Sequence, residues 1–198
     1  MILRLQILTT TYWIRWLSFS IICFFSFEIN LVAQDMPVPA SIQGELISKI
    51  LLMNKNFSNR KEINLGIIYN KYFRSSVEAK NEIIEKVKSA DIGIIIHTIP
   101  IEFSGSEDLQ EALGSRRCDA IYIAPLRGIS LAMIKSFCKE NKILTFCGNP
   151  DLVSNYFSIG FDLVDDKIKI IINLKEAMDE DADLSSRLLK IARVINKP

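Results

Sequence analysis

The chain has 198 residues, of which 49% are hydrophobic and 24% are charged, and its formal net charge is +1. Domains commonly span ~100–200 residues, so this length predicts one domain with a short appendage. The composition is that of a globular protein, which excludes a disordered chain. The charge balance, without a basic patch or a long acidic tail, argues against a nucleic-acid-binding protein.

The N-terminal segment has the layout of a secretory signal peptide. Arg4 and Arg15 precede the apolar run WLSFSIICFFSF, and Ala33 lies directly before Gln34 and Asp35. A basic front, an apolar core and a small residue at the end are typical of such signals. The run is shorter than the ~20 residues of a spanning helix, so cleavage is favoured over an uncleaved membrane anchor. We expect an exported chain with three parts, namely a signal peptide (1–33), a linker (34–39) and a single α/β domain (40–198).

After the linker, the apolar pattern predicts helices and strands in alternation. The first helix, over residues 41–57, places five apolar side chains on one stripe at helical spacing, namely Ile42, Leu46, Ile50, Met53 and Phe57. The strands that follow cover residues 63–69, 91–99, 118–124 and 142–147, and the helices between them cover 75–90, 104–115 and 128–141. Strands that are apolar throughout are buried on both faces, and their alternation with helices implies parallel βαβ units. The predicted fold is therefore α/β, a three-layer, mostly parallel open sheet with helices on both faces.

The end of the chain departs from this alternation. Two further strands, over residues 156–164 and 167–174, are separated only by Asp165 and Asp166. So short a join permits only an antiparallel hairpin. A C-terminal helix over residues 185–195 is expected to close the domain, and its sheet-facing stripe comprises Leu184, Leu188, Ile191 and Ile195.

An acidic segment joins the last strand to this helix. Its acidic residues are Glu176, Asp179, Glu180, Asp181 and Asp183. A Ca²⁺-binding helix–loop–helix motif needs alternating oxygen ligands, a glycine at the turn and a bidentate acid at the end, and this segment has no glycine. We favour a solvated join whose carboxylates stabilise the N-terminal end of the next helix, and we expect no metal.

Three cysteines remain after the signal peptide. Export to an oxidising compartment permits a disulfide bond. Cys138 and Cys147 end a predicted helix and the strand next to it in sequence, so they could meet and form one. Cys118 is then left over, and it reads as a small buried hydrophobic residue. Whether the Cys138–Cys147 bridge forms stays open at this point.

Two loops that follow predicted strands carry the candidate binding residues. APLRG contains Arg127 and CGNPD contains Asn149, and both loops lie at carboxyl ends of strands, where open α/β sheets bind ligands. Ordinary turn chemistry from proline, glycine and asparagine explains them as well, and we favour it. The single histidine, His97, lies near the end of a strand. We interpret it as a packed residue in preference to a catalytic one. No phosphate-binding loop, dinucleotide fingerprint or nucleophile elbow is present, so neither a cofactor nor an enzyme is expected.

The C-terminal half resembles a known family. The matching features are, in order, Cys118 before an apolar strand, Leu144-Thr145, Ile159-Gly160-Phe161, Ile172-Asn173-Leu174 with Ala177, and Ser185-Ser186-Arg187-Leu188-Leu189 with Ala192. These features are similar to those of the YfiR-like periplasmic repressors, over roughly residues 40–196. The chain departs from that pattern at NFSNRK, where members usually have an aromatic-rich segment with Trp-Pro. It also lacks the earlier cysteine that could pair with Cys118.

The resemblance implies a non-enzymatic regulator in the periplasm. Such proteins hold an inner-membrane diguanylate cyclase inactive by contacting its periplasmic sensor domain, and so they lower cyclic-di-GMP signalling. A sensor kinase is a second partner of this kind, and a homodimer is left open. The alternatives are a small periplasmic solute-binding or sensing module without cyclase control, and a hydrolase that uses His97. Solute-binding proteins normally have two lobes of this type, and the mature chain provides one.

Overall fold

The computed structural model describes residues 36–105, 109–113 and 116–197, so the predicted signal peptide lies outside the described residues. Within this part, the helices are α1 (Ala40–Leu52), α2 (Arg74–Ser89), α3 (Leu109–Leu113), α4 (Leu131–Glu140), α5 (Pro150–Val153), α6 (Leu174–Asp179) and α7 (Ser186–Ile191). The strands are β1 (Glu62–Tyr69), β2 (Ile95–Glu102), β3 (Ala120–Ile123), β4 (Leu144–Cys147), β5 (Ile159–Val164), β6 (Lys167–Asn173) and β7 (Arg193–Ile195). None of the helices described here is long and apolar enough to cross a membrane.

The strands form one sheet in the order β2-β1-β3-β4-β5-β6-β7. All neighbouring strands are parallel except β5 and β6, which pair antiparallel from Ile159 opposite Ile172 to Val164 opposite Lys167. The hairpin turn uses Asp165 and Asp166 at φ of 50° and 56°, the positive values that two-residue hairpin turns require. The predicted α/β class, the mostly parallel sheet and the antiparallel hairpin are confirmed.

Two hydrophobic clusters cover the two faces of the sheet, which makes the three layers. On the first face, Leu65, Ile67 and Phe146 pack against side chains of α1, α2, α6 and α7. On the second face, Ile68 and Cys147 pack with residues of α3, α4 and α5. Successive strand residues such as Ile67 and Ile68 point to opposite faces, and both are fully buried. This double burial is the physical reason for the uninterrupted apolar runs in the sequence.

Helix α1 ends at Leu52 and not at residue 57, and four of the five residues of the predicted stripe, all except Ile42, lie in or against the first hydrophobic cluster. Ile47, Ile50 and Leu51 are buried, whereas Ile42 is 36% exposed. The buried side also includes Gln43, which accepts a hydrogen bond from Tyr122 Oη (2.9 Å) and donates to the carbonyl of Val38 (2.7 Å). The polar side chain is tolerated because its donor and its acceptor are both used.

The second strand is shifted along the sequence from its predicted bounds of 91–99, and it is less buried than expected. It begins at Ile95 and not at residue 91, since Gly93 has a φ of 74°, outside the extended range. It forms an edge of the sheet, so its side chains alternate in exposure, and Ile95 is 56% exposed. The prediction of burial on both faces is wrong for this strand, because an apolar run does not distinguish a central strand from an edge strand.

The C-terminal segment contains more elements than predicted. The acidic join folds partly into α6, whose first turn is capped by Asn173. The C-terminal helix is present but ends at Ile191, after which the chain pairs with β6 as the short strand β7. Leu188 and Leu184 are buried as predicted, whereas Ile191 is 59% exposed and does not cover the sheet.

Candidate functional site

The two candidate binding residues follow neighbouring strands at the carboxyl edge of the sheet, and each has a local partner. The guanidinium of Arg127 lies over the ring of Phe73, 4.3 Å from its centroid. Phe73 precedes α2, so this stack bridges the loops after β1 and β3, where the strand order reverses. Asn149 caps α5, because its side-chain oxygen accepts a hydrogen bond from the amide of Asp151 (2.9 Å).

These two residues do not share a pocket. Asn149 lines a cavity of about 10 Å³ together with Met36 and Gly148, and Arg127 is not part of its lining. A cavity of this size admits about one water molecule. The contacts of Arg127 and Asn149 are thus those of a stacked cation and a helix cap, and their role in binding stays a prediction.

The three cysteines among the described residues are buried as free thiols, and the Cys138–Cys147 bridge that the sequence leaves open stays a hypothesis. Cys138 lies on α4 and Cys147 ends β4, both within the second hydrophobic cluster. Burial raises the pKa of the Cys118 thiol to about 11 and raises the pKa values of the other two as well. A raised thiol pKa lowers the fraction of reactive thiolate, so these cysteines behave as core residues.

Replacing Cys138 with serine is expected to destabilise the domain equally under oxidising and reducing conditions. The fully buried thiol would become a hydroxyl group that needs a hydrogen-bond partner, at a cost of about 1–3 kcal/mol. Thermal unfolding with and without reductant measures this. A loss of stability under oxidising conditions alone would instead show that the bridge forms in solution.

The acidic segment does not converge on one site, because its carboxylates contact different basic or polar partners. Glu176 pairs with Lys135 (2.8 Å), Asp179 with Lys139 (2.6 Å) and Asp183 with Lys55 (2.9 Å). Hydrogen bonding to Lys139 lowers the pKa of Asp179. Among the residues that the structure describes, no group of three or more potential ligands is placed to hold a metal ion.

Glu180 is the exception in this segment, because its carboxylate is buried and has no basic partner among the described residues. One oxygen accepts from the Thr145 hydroxyl (2.7 Å), and the other accepts from the Thr145 amide (2.9 Å) and the Ser158 hydroxyl. The amide of Ser158 in turn donates to the Thr145 hydroxyl oxygen (2.9 Å). Burial raises the pKa of Glu180 to about 7, although the hydrogen bonds from Ser158 and Thr145 act to lower it.

Sequence reasoning missed this network. The available signal was the presence of Thr145 and Ser158 within runs that are otherwise almost entirely apolar. A polar side chain in a buried strand needs a partner, and Glu180 at the end of α6 supplies it. The network joins α6 to β4 and to the start of β5.

A polar depression of about 700 Å³ lies at the amino ends of β1, β3 and β4, with Glu180 among its lining residues. Asp119 accepts hydrogen bonds there from Arg60 and, through its second oxygen, from the amide of Asn64 (2.9 Å). Arg117 also lines the depression and is exposed. Acidic and basic side chains are both present, so their charges give no preference for a charged ligand.

His97 lies on the edge strand β2 and not in a cleft. Its Nε2 is 3.3 Å from the carboxylate of Glu62 on β1, and both side chains are about half exposed or more. An exposed histidine beside a carboxylate is an ordinary surface pair. The geometry therefore gives the hydrolase alternative no support.

Two solved structures share the fold of this chain. One is the ABC domain in complex with L-Trp from Streptococcus pneumonia, with a TM-score of 0.60 and 16% sequence identity. The other is a conserved domain protein from Vibrio cholerae O1 biovar eltor, with a TM-score of 0.50 and 18% identity. Each covers 79% of this chain, which spans 62% and 60% of their lengths, respectively. At these identities the likeness concerns the fold alone.

The sequence itself gives a more specific assignment. No curated protein matches the chain significantly. The family model described as YfiR/HmsC-like matches residues 52–193, which is most of the described part. The match includes every feature on which the resemblance rests, from Cys118 to Ala192, and it extends back through β1. The chain therefore belongs to the YfiR/HmsC-like family.

Proposed function

We propose that the chain is an exported, non-enzymatic regulator that represses a membrane-bound diguanylate cyclase by binding its periplasmic sensor domain. The observation that carries this proposal is the family match over residues 52–193. The layout of residues 1–33, which is that of a secretory signal, supports export to the compartment where such a sensor domain lies.

The contacts at the predicted site residues fit a binding protein better than an enzyme. Arg127 is stacked on Phe73, and Asn149 caps a helix. His97 is exposed beside Glu62 on an edge strand. Catalytic groups usually contact one another within a cleft, whereas each of these three residues contacts a different neighbour. Regulation through contact with another protein requires only a stable fold and a complementary surface.

Deletion of the gene is expected to raise the cellular cyclic-di-GMP concentration severalfold, because the cyclase would lose its repressor. The measurement is nucleotide quantification by mass spectrometry in wild-type, deleted and complemented cells. The complementing gene encodes the full chain with its own N-terminal segment. In a background that also lacks the cyclase, deletion should leave the concentration unchanged.

A pull-down of the full chain from detergent-solubilised membranes should retain the same cyclase. An unchanged cyclic-di-GMP concentration on deletion, with no cyclase retained, would contradict the proposed function. Retention of a sensor kinase with unchanged cyclic-di-GMP would move the protein to a different signalling system.

A further inference from the structure

The two edges of the sheet differ in how well they are protected from pairing with another strand. At one edge, β7 has only three residues, and it carries Arg193, which pairs with Asp162 (3.5 Å). At the other edge, β2 has eight residues. Short length and charged side chains are the usual means by which proteins prevent edge pairing. Strand β7 has both, so β2 is the edge that is open to a partner.

The peptide groups of β2 that point away from the sheet can be identified from its ladder. The amide of Ile95 donates to the carbonyl of Lys61 (3.0 Å), and the amide of Phe103 donates to the carbonyl of Tyr69 (2.9 Å). Alternate residues of a strand direct their peptide groups to the same side. The odd-numbered residues therefore bond to β1, and the outward-facing residues are Ile96, Thr98, Pro100 and Glu102.

The amino-terminal half of this edge has no protecting feature. No Asp, Glu, Lys or Arg occurs between residues 92 and 101, and Ile95 is 56% exposed. Pro100 is the one residue that blocks pairing, because it has no amide hydrogen to donate. It protects only the carboxyl half, so the amides and carbonyls of Ile96 and Thr98 face outward without a strand beside them among the described residues.

We propose that the outer edge of β2 is where the sensor domain of the partner adds a β-strand, which extends the sheet by backbone hydrogen bonds. The proposal rests on the proposed function. Backbone pairing gives affinity, and the side chains beside the strand give specificity. The exposed Ile95, and the lack of Asp, Glu, Lys and Arg in the strand before Glu102, fit an uncharged partner strand rich in β-branched or aromatic residues.

A second copy of this chain is a poorer occupant of the same edge when the two β2 strands pair over their full length. In an antiparallel two-fold pairing centred on Thr98, Pro100 of each copy faces Ile96 of the other. Neither proline can donate to the facing carbonyl, so two hydrogen bonds of the ladder are missing. A strand from a different protein is not bound by this symmetry and can place its own donors opposite the carbonyl of Pro100.

Amide hydrogen exchange tests the proposal at single-residue resolution, with the full chain alone and with the purified periplasmic domain of the cyclase retained in the pull-down. Binding should slow exchange at Ile96 and Thr98 at least about tenfold, while Ile95 and His97, already bonded to β1, change little. This alternation is expected from an added strand and not from a helix or loop that covers the surface.

A pair of matched variants gives a second readout. Ile95→Lys places a charge beside the outer edge, and Ile168→Lys makes the same change at another exposed isoleucine, on the β5–β6 hairpin. We expect Ile95→Lys to weaken binding of the cyclase domain at least about tenfold and Ile168→Lys to leave it unchanged. Thermal unfolding of both variants checks that the fold is retained.

Three outcomes would count against the proposal, and they separate it from the proposed function. If the cyclase domain binds without alternating protection of β2, the edge proposal is overturned and the proposed function stands. Equal binding by the two lysine variants overturns it in the same way. If the cyclase domain does not bind the chain at all, the proposed function and the edge proposal fail together.

Discussion

Replacing Leu188 with aspartate is expected to unfold the domain. Leu188 on α7 is fully buried in the first hydrophobic cluster. The substitution removes a packed side chain and places a carboxylate in a hydrophobic cluster, which costs about 4 kcal/mol or more. Single domains have only about 5–15 kcal/mol of unfolding free energy, so the loss is a large part of the total.

The control for Leu188→Asp is the same change at Leu163. That leucine lies near the tip of the hairpin and is 45% exposed, so its replacement should change the unfolding free energy by less than about 1 kcal/mol. Chemical denaturation followed by circular dichroism measures both variants. A Leu188→Asp protein as stable as Leu163→Asp would mean that α7 does not cover the sheet in solution.

The pH dependence of stability is expected to change when Glu180 is replaced with glutamine. In the folded wild-type protein, burial raises the pKa of Glu180 to about 7, above the ordinary value of 4.5. Because the folded state binds the proton of Glu180 more tightly than the unfolded state does, protonated Glu180 stabilises the folded protein. This contribution to the unfolding free energy is fully present below about pH 4.5 and is lost as the pH rises through about 7. Glutamine cannot ionise, so the unfolding free energy of the variant does not fall with pH for this reason.

The expected size follows from the pKa difference. Between about pH 5 and about pH 8, the variant should gain about 2–3 kcal/mol of unfolding free energy relative to the wild-type protein. Other groups, such as Asp179, titrate in both proteins, so the difference between the two curves isolates Glu180. Urea unfolding at several pH values provides the curves. Parallel curves would show that the folded-state pKa of Glu180 is close to its ordinary value.

The parallel core of the fold could be predicted because its cause is local in the sequence. The runs that became β1, β3 and β4 are apolar on both faces, and helical segments of suitable length separate them. The hairpin followed from the same kind of argument, since Asp165 and Asp166 leave room for no other connection. In each case the neighbouring residues alone specify the element.

The predictions were wrong where the residues that surround a position belong to distant parts of the chain. Strand β2 has an apolar run like those of the central strands, and only the order of the sheet makes it an edge. Helix α7 ends at Ile191 for a similar reason, because the residues that follow it pair with β6 as strand β7. Local pattern cannot report such pairing, since backbone hydrogen bonds between strands carry no sequence signature of their own.

The candidate site shows the same division between local and distant causes. The capping role of Asn149 was accessible from the sequence, because asparagine before proline at the start of a helical turn is a local signal. The residues around Arg127 and Glu180 gave no such signal, since their partners lie far away in the chain and only Thr145 and Ser158 hinted at a buried polar partner.

The residue pattern alone was therefore sufficient to predict the class of fold, the hairpin and the family. Each of these depends on residues close together in sequence, namely the apolar runs, the two-residue join and the motif residues. The tertiary structure decided which strand is an edge, which carboxylate is buried and how deeply the cysteines are buried. Those properties depend on what packs against a residue, and for His97, Glu180 and Cys138 the packing residues come from other elements of the fold.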